Sequence, residues 1–219
     1  MLMKVMQLLS CLALIYCFAG CKSSKTLDVD TTTMINVLEY GIVSDAHKDQ
    51  TKAIQVLFDK YRSVGSFYFP KGTYLIESLD IYPGIHVIGD GQALFLKKPQ
   101  SGKFSRMLNS SKYCFKTPYN AAKIVIRGIN FDGNRQQQGP YSDYELEHQA
   151  MIFVTGNPEY AQRLNLEISN CNFRDGVADA ISIWKNVNAS IDSINVTDVF
   201  RGAITITGGH TVVKASSLV

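Results

Sequence analysis

A segment reading AISIWKN (Ala180 to Asn186) returns 23 residues later as AITITGG (Ala203 to Gly209), and an earlier variant, AMIFVTG, begins at Ala150. No other feature limits so sharply what this chain can fold into. Aligned on their alanines, the three segments put Met151 and Phe153, Ile181 and Ile183, and Ile204 and Ile206 on one face of a short strand, because side chains alternate with period two. The opposite face then holds Ile152 and Val154, Ser182 and Trp184, and Thr205 and Thr207. That face grows more polar along the chain, as a solvent-facing surface does.

A second family of strands interleaves with the first: IVIRGINF (Ile124 to Phe131), LEISNCNF (Leu166 to Phe173), ASIDSINV (Ala189 to Val196) and VVKASSL (Val212 to Leu218). Superposing Ile126, Ile168, Ile191 and Val213 gives spacings of 42, 23 and 22 residues. The first is either two periods or one period with an inserted loop. In the same register Ile129, Cys171, Ile194 and Ser216 share a row, as do Phe131, Phe173, Val196 and Leu218. A fixed period of about 22 with two strands per period marks a solenoid, in which each coil completes the burial of its neighbour's apolar row. Asn130, Asn172 and Asn195 also fall in one row, either as an amide ladder between coils or as plain solvent-facing residues.

The stretch DQTKAIQVLFDKYRSVG differs. It sets Ile54, Leu57, Phe58 and Tyr61 on one helical face, with Asp49 as N-cap and Gly65 as terminator. A helix ahead of the strand stack would cover the open apolar end of the first coil, which is otherwise a sticky edge. Short strands follow, punctuated by Pro70-Lys71-Gly72, Pro83-Gly84 and Gly89-Asp90-Gly91. Long helical segments between later strands are missing, which argues against a doubly wound sheet.

The N-terminus does not belong to the fold. One early Lys4, an apolar run from Leu8 to Ala19 and then Gly20-Cys21 describe an export signal, and the run is too short for a membrane span of about 20 residues. The ending F-A-G-C resembles the lipobox of bacterial lipoproteins, in which Cys21 is lipidated; an ordinary secretory signal is the alternative. The expected organisation is a signal peptide (1–20), a polar tether (21–34) and a β-solenoid (35–219) that stops inside a rung and so reads as incomplete at its C-terminal side. The expected location is the bacterial cell envelope, at the outer membrane or cell surface. Cys114 and Cys171 remain in the mature body: one disulfide is open to them in an oxidising compartment, but Cys171 sits at an apolar position and reads as a buried thiol. No metal-ligand spacing appears among the cysteines. The net charge of +3, without a basic block, gives no reason to expect nucleic acid as a partner.

The blocks VLEYGIVSD (Val37 to Asp45), DQTKAIQ (Asp49 to Gln55), FYFPKGTYLI (Phe67 to Ile76) and GIHVIGDG (Gly84 to Gly91) resemble the pectin-lyase-like superfamily, nearest its pectate-lyase-like branch of rhamnogalacturonases, sugar epimerases and phage tailspikes. Two departures fall in the capping region, where Gly-Asp-Gly becomes Ser44-Asp45-Ala46 and Asp-Asp-Thr becomes Asp49-Gln50-Thr51. The resemblance implies an all-β, right-handed parallel β-helix with an N-terminal capping α-helix. It also implies action on acidic polysaccharide in a groove along one sheet, by hydrolysis, β-elimination or epimerisation. It carries over no catalytic residue: the paired-Asp, Gly-His-Gly and Arg-x-Lys series of polygalacturonases and the Asp-Pro-His signature of alginate epimerases are absent.

Candidates must therefore come from the coils. Asp175 and Asp198 stand two residues after Phe173 and Val196, one rung of about 4.7–4.9 Å apart. Close like charges raise one pKa, which suits a proton donor, or invite a cation such as calcium. Asp179 precedes one outer strand and Arg201 the next, where a guanidinium could meet a uronate carboxylate or a developing anion. The plainer reading is that these aspartates accept backbone N–H bonds in turns. Trp184, the only tryptophan, faces outward, to stack on a sugar or to lie beneath a neighbouring loop. His210 and His148 rank below these; His148 shares a loop with Tyr141, Asp143, Tyr144, Glu145 and Glu147. The expected function is that of an exported, lipid-anchored β-helix acting on uronate-containing polysaccharide as a lyase or hydrolase. A noncatalytic glycan-binding or structural surface solenoid is the alternative. No cofactor is identified, and calcium stays open.

Overall fold

The computed structural model describes residues 31–116, 119–139 and 148–218. Cys21 with the signal and tether up to residue 30, and Tyr141, Asp143, Tyr144, Glu145 and Glu147, lie outside the described residues.

Strands β1 (Ile35–Asn36) and β2 (Asp45–Asp49) precede helix α1 (Thr51–Lys60), and β3 (Ser66–Phe69), β4 (Gly72–Ile76) and β5 (Leu79–Asp80) complete the first coil. The long β6 (His86–Lys97) and short β7 (Leu108–Asn109) make the second, β8 (Lys123–Asp132) and β9 (Ile152–Thr155) the third. Three strands each then form β10 (Leu164–Ser169), β11 (Asn172–Gly176) and β12 (Ile181–Trp184), and β13 (Val187–Asp192), β14 (Asn195–Val199) and β15 (Ile204–Thr207). Strands β16 (His210–Lys214) and β17 (Ser217–Leu218) end the described chain. Pairing between coils is parallel throughout. One 12-stranded sheet has two arms, β1-β3-β6-β8-β10-β13-β16 and β2-β4-β6-β8-β11-β14-β17, and a five-stranded sheet runs β5-β7-β9-β12-β15. The chain is a parallel β-helix.

Each period therefore holds three strand segments, not two. The stretch LEISNCNF bends between β10 and β11, and the inward residues there step by three (Ile168 to Cys171) where a straight strand would step by two. Gly128, Asn170 and Ser193 stand at this corner on successive coils with φ of 68°, 53° and 52°. Glycine and asparagine tolerate that left-handed conformation best. Across the corner the expected rows are in register: Ile126, Ile168, Ile191 and Val213 on one arm, and Phe131, Phe173, Val196 and Leu218 on the other. The 42-residue spacing is one coil with insertions. Asn172 donates to Asn130 Oδ1 at 2.6 Å and Asn130 to the Gly91 carbonyl at 3.0 Å, so the first two asparagines form a ladder.

The five-stranded sheet corrects the opening alignment by one residue. Ile152, Ile181 and Ile204 share the inward row, and Phe153 pairs with Ser182 on the outward side. The reason is that MIFV is apolar at four successive positions, so alternation cannot choose a face, and a one-residue slip turns every side chain over.

Helix α1 buries Ile54, Leu57 and Phe58, with the Phe58 ring 4.6 Å from that of Phe67. Asp49 Oδ1 accepts from the Thr51 amide at 2.9 Å, with Gln50 as the residue just before the helix. Gly65 closes the segment at φ 73°, donating to the Tyr61 carbonyl; a Cβ there would lie 2.7 Å from the Gly84 carbonyl oxygen. Beside the helix, β1 and β2 add their own backbone bonds to the edges of β3 and β4. Cys114 and Cys171 are buried free thiols, and burial raises their pKa to about 11 and about 12.

Candidate functional site

The outer face of the five-stranded sheet follows from its register. Asp80, Asn109, Phe153, Ser182 and Thr205 form one outward row, and Thr155, Trp184 and Thr207 the next. Trp184 lies outward as the alternation predicts and is 37% exposed, with its ring 5.6 Å from Phe153 in an edge contact. The Arg106 guanidinium lies over the other ring of this pair, 3.7 Å from the Phe153 centroid. Arg106 Nε donates to the His148 carbonyl at 3.0 Å, and burial lowers the guanidinium pKa from its ordinary value. An arginine keeps its charge regardless. A half-buried cation, a phenyl ring and an exposed indole thus run side by side across one face.

The hydrogen bonds that lead into these strands extend the site along the axis. Leu108 donates to the Met151 carbonyl, Met151 to the Asp179 carbonyl and Ala180 to the Gly202 carbonyl, so Arg106, Ala150, Asp179 and Gly202 stand at equivalent positions. Two rungs separate Arg106 from Asp179, about 9–10 Å. Asp179 is 3% exposed, and Arg201 Nε lies 3.7 Å from its Oδ1. The structure therefore brings Asp179 and Arg201 together at the rim of the face that carries Trp184 and Arg106. Such a rim can hold an anion at a guanidinium and keep a carboxylate within reach of it.

Asp175 and Asp198 occupy a different corner, at the end of β11 and β14. Both adopt positive φ, 51° and 54°. The expected rung-to-rung closeness takes the form of a shared cation: Arg135 Nη2 lies 2.8 Å from Asp198 Oδ1 and its Nε 3.6 Å from Asp175 Oδ1, while its backbone N–H donates to Asp175 Oδ2. The guanidinium takes the place between the carboxylates that a bound cation would need, so this pair does not fit a calcium cage. Among the described residues no three His, Cys, Asp or Glu side chains converge on a metal-sized site. His210 opens β16 on the far arm and is exposed; His148 packs against Phe104, ring centroids 5.5 Å apart.

A concavity of about 500 Å³ lies elsewhere, on the second arm of the large sheet, lined by Lys71, Gln92, Asn130, Asn172 and Arg174. Within it Asn172 donates to Asn130, and Arg174 pairs with the neighbouring Asp132 at 2.8 Å. The outer face of the five-stranded sheet is the better candidate on chemistry.

Sequence reasoning missed Arg106, Phe153 and Arg135. Phe153 was assigned inward by the alignment on alanines. Arg135 lies in an insertion outside the repeat, and Arg106, although level with Ala150, Asp179 and Gly202, sits in a rung whose sequence does not repeat the alanine-led pattern.

The family model described as rhamnogalacturonase A/epimerase, pectate lyase-like, matches residues 34–216. Nothing matches among the curated proteins. Among solved structures, a candidate glycosyl hydrolase from Parabacteroides merdae superposes with a TM-score of 0.52 at 15% identity, covering 83% of this chain and 93% of that one. The A-module of the Azotobacter vinelandii mannuronan C-5 epimerase AlgE4 superposes with a TM-score of 0.57 at 17% identity. The corresponding module of AlgE6 gives 0.57 at 15%. This chain spans 51% and 56% of the two epimerase modules. At these identities the likeness is one of fold.

Proposed function

The chain belongs to the rhamnogalacturonase A/epimerase, pectate lyase-like family, and from that premise we propose that it acts on uronate-containing polysaccharide laid along the outer face of the five-stranded sheet. The observation that carries the reading is the row of Arg106 on Phe153 beside the half-exposed Trp184. An indole face stacks on the apolar side of a sugar ring, and a guanidinium recognises its carboxylate. Asp179, next to Arg201, is the carboxylate placed for proton transfer, and Arg201 for the charge that develops on the sugar. Elimination and hydrolysis both need these two roles.

The test is a panel of uronate oligosaccharides against the full-length protein, run with calcium and with a chelator. Arg106→Met and Trp184→Ala are each expected to weaken binding about tenfold or more, from ~1.5–3 kcal/mol per charged hydrogen bond or stacked ring. Asp179→Asn is expected to abolish turnover with binding kept. No binding or turnover across the panel would sink the proposal. A noncatalytic glycan-binding reading has one observation in its favour, the capture of Asp175 and Asp198 by Arg135. Binding without turnover in the native protein would favour it.

We also propose export and lipid attachment at Cys21, since the apolar run ends in Ala19-Gly20-Cys21 ahead of a polar tether. Cys21→Ser is expected to lose fatty-acid labelling and to move the protein from the membrane fraction to the soluble one. A variant that stays membrane-bound contradicts the anchor.

A further inference from the structure

Lys97 ends β6 in register with the buried Ile76, and it is itself 1% exposed. Its Nζ donates to the Ser105 carbonyl at 3.2 Å and to Gln149 Oε1 at 2.5 Å. Ser105 immediately precedes Arg106, and Gln149 immediately follows His148, the residue whose carbonyl accepts from Arg106 Nε. The same two connections, one leading into β7 and the other into β9, are thus stitched twice. Lys97 joins them from the core side and Arg106 from the outer side, where it covers Phe153.

We propose that Lys97 is a positioning residue for the outer face: its neutral amine straps together the segments carrying Arg106 and Gln149, and proton uptake loosens the strap, so that the Arg106–Phe153–Trp184 row is pH-dependent. A neutral amine has two N–H groups, and the two acceptors account for both. The ammonium brings a third N–H and a full charge, and among the described residues no carboxylate is in ion-pair contact with it. Burial lowers the Lys97 pKa from 10.5 to about 7, with the charge of Glu77 opposing the shift. The other charged and titratable groups on the surrounding segments are mostly committed. Glu77 pairs with Lys98, Asp132 with Arg174, Asp175 with Arg135, and Asp179 with Arg201. Lys103 and His148 flank Arg106, and His148 packs on Phe104. Asp143, Glu145 and Glu147 precede Gln149 in sequence, outside the described residues. A buried charge without a partner is met by water entry or by movement of its neighbours. The nearest movable neighbours are the two strapped segments.

The pH dependence draws its functional meaning from the glycan-face reading above, but its test needs no glycan. Trp184 is the only tryptophan among 11 tyrosines, so emission excited selectively at the indole, and not at the tyrosines, reports this face. In the full-length protein without ligand, emission followed from about pH 5 to 10 is expected to show one transition with a midpoint near that of Lys97. The transition is expected to vanish in Lys97→Met and to persist in His148→Gln, since histidine is the other side chain that changes charge near neutrality. Gln149→Glu, which sets a carboxylate against the amine, is expected to move the midpoint up by about 1–3 pH units. Far-UV circular dichroism reports folding, and if Lys97→Met does not fold, the Gln149→Glu shift decides alone. A native protein with no transition overturns the proposal, as does a transition that survives in folded Lys97→Met, disappears with His148, or stays in place in Gln149→Glu.

Discussion

Cutting Phe173 back to alanine is expected to destabilise the fold by about 3–5 kcal/mol, the usual loss for a fully buried phenyl group. Phe173 is completely buried, and its ring lies parallel to that of Phe131, centroids 4.9 Å apart and planes 5° apart. Phe131 in turn meets Phe95 edge-on at 5.6 Å, and Phe95 meets Phe69 at 4.9 Å, so the row is continuous through four coils. A cavity in such a row cannot collapse. The rungs above and below are held apart by parallel backbone hydrogen bonds at about 4.7–4.9 Å, and closing the gap would break several of them. The control is Val213→Ala in β16, on an inward row of the last described coil, where Val213 is 41% exposed. That change is expected to cost under about 1 kcal/mol. Urea unfolding of both variants checks the contrast. Equal losses at the two positions would mean that stability does not come from stacked coils.

The stacking itself was legible because a solenoid writes its packing into a period. Rows such as Ile126, Ile168, Ile191 and Val213 repeat in sequence because they touch in space. Two errors mark where that signal stops. The corner between β10 and β11 went unseen because the residues on both sides of it are inward and apolar, so one bent segment reads as one strand. The face of Phe153 was misassigned because Met151 to Val154 contains no polar residue to fix the phase.

The candidate site was less legible, for a related reason. Asp179, Arg201 and Trp184 belong to repeating coils, and their positions could be derived. Arg135 comes from an insertion, and Arg106 from a rung whose sequence does not repeat the pattern of the later coils, so only three-dimensional proximity reveals them. Arg135 reaches Asp175 and Asp198 from 40 and 63 residues away in sequence. A rule that stacks equivalent positions finds the carboxylate pair but not the guanidinium between them. Lys97 is hidden by the opposite effect. KK after a strand reads as a solvated end, yet Lys98 alone lies at the surface, pairing with Asp49 and Glu77 at 3.1 and 3.4 Å, while Lys97 turns inward.

Stability should record that inward turn as a rise with pH. The folded-state pKa of Lys97 is about 7 against 10.5 for the exposed group. Between those values the unfolded chain holds a proton that the folded chain does not, so the unfolding free energy increases as pH rises through this window. Below it both states are protonated and the full penalty of the buried charge remains. At about 1.4 kcal/mol per pH unit, native protein is expected to gain about 3 kcal/mol between about pH 7 and 9.5, relative to Lys97→Met measured in the same way. The comparison between variants matters because other groups titrate over this range and cancel in the difference. The absolute stability of Lys97→Met at neutral pH is a poorer guide: removing the amine relieves the charge but leaves the Ser105 carbonyl and the Gln149 amide oxygen without their donor, at ~1–3 kcal/mol each. Urea midpoints taken across the pH range for both proteins decide the matter. Parallel curves would show that Lys97 finds a compensating partner for its charge in the fold and is not titrated there. Curves that diverge with rising pH, native protein gaining, would establish a lysine whose neutral form the fold selects.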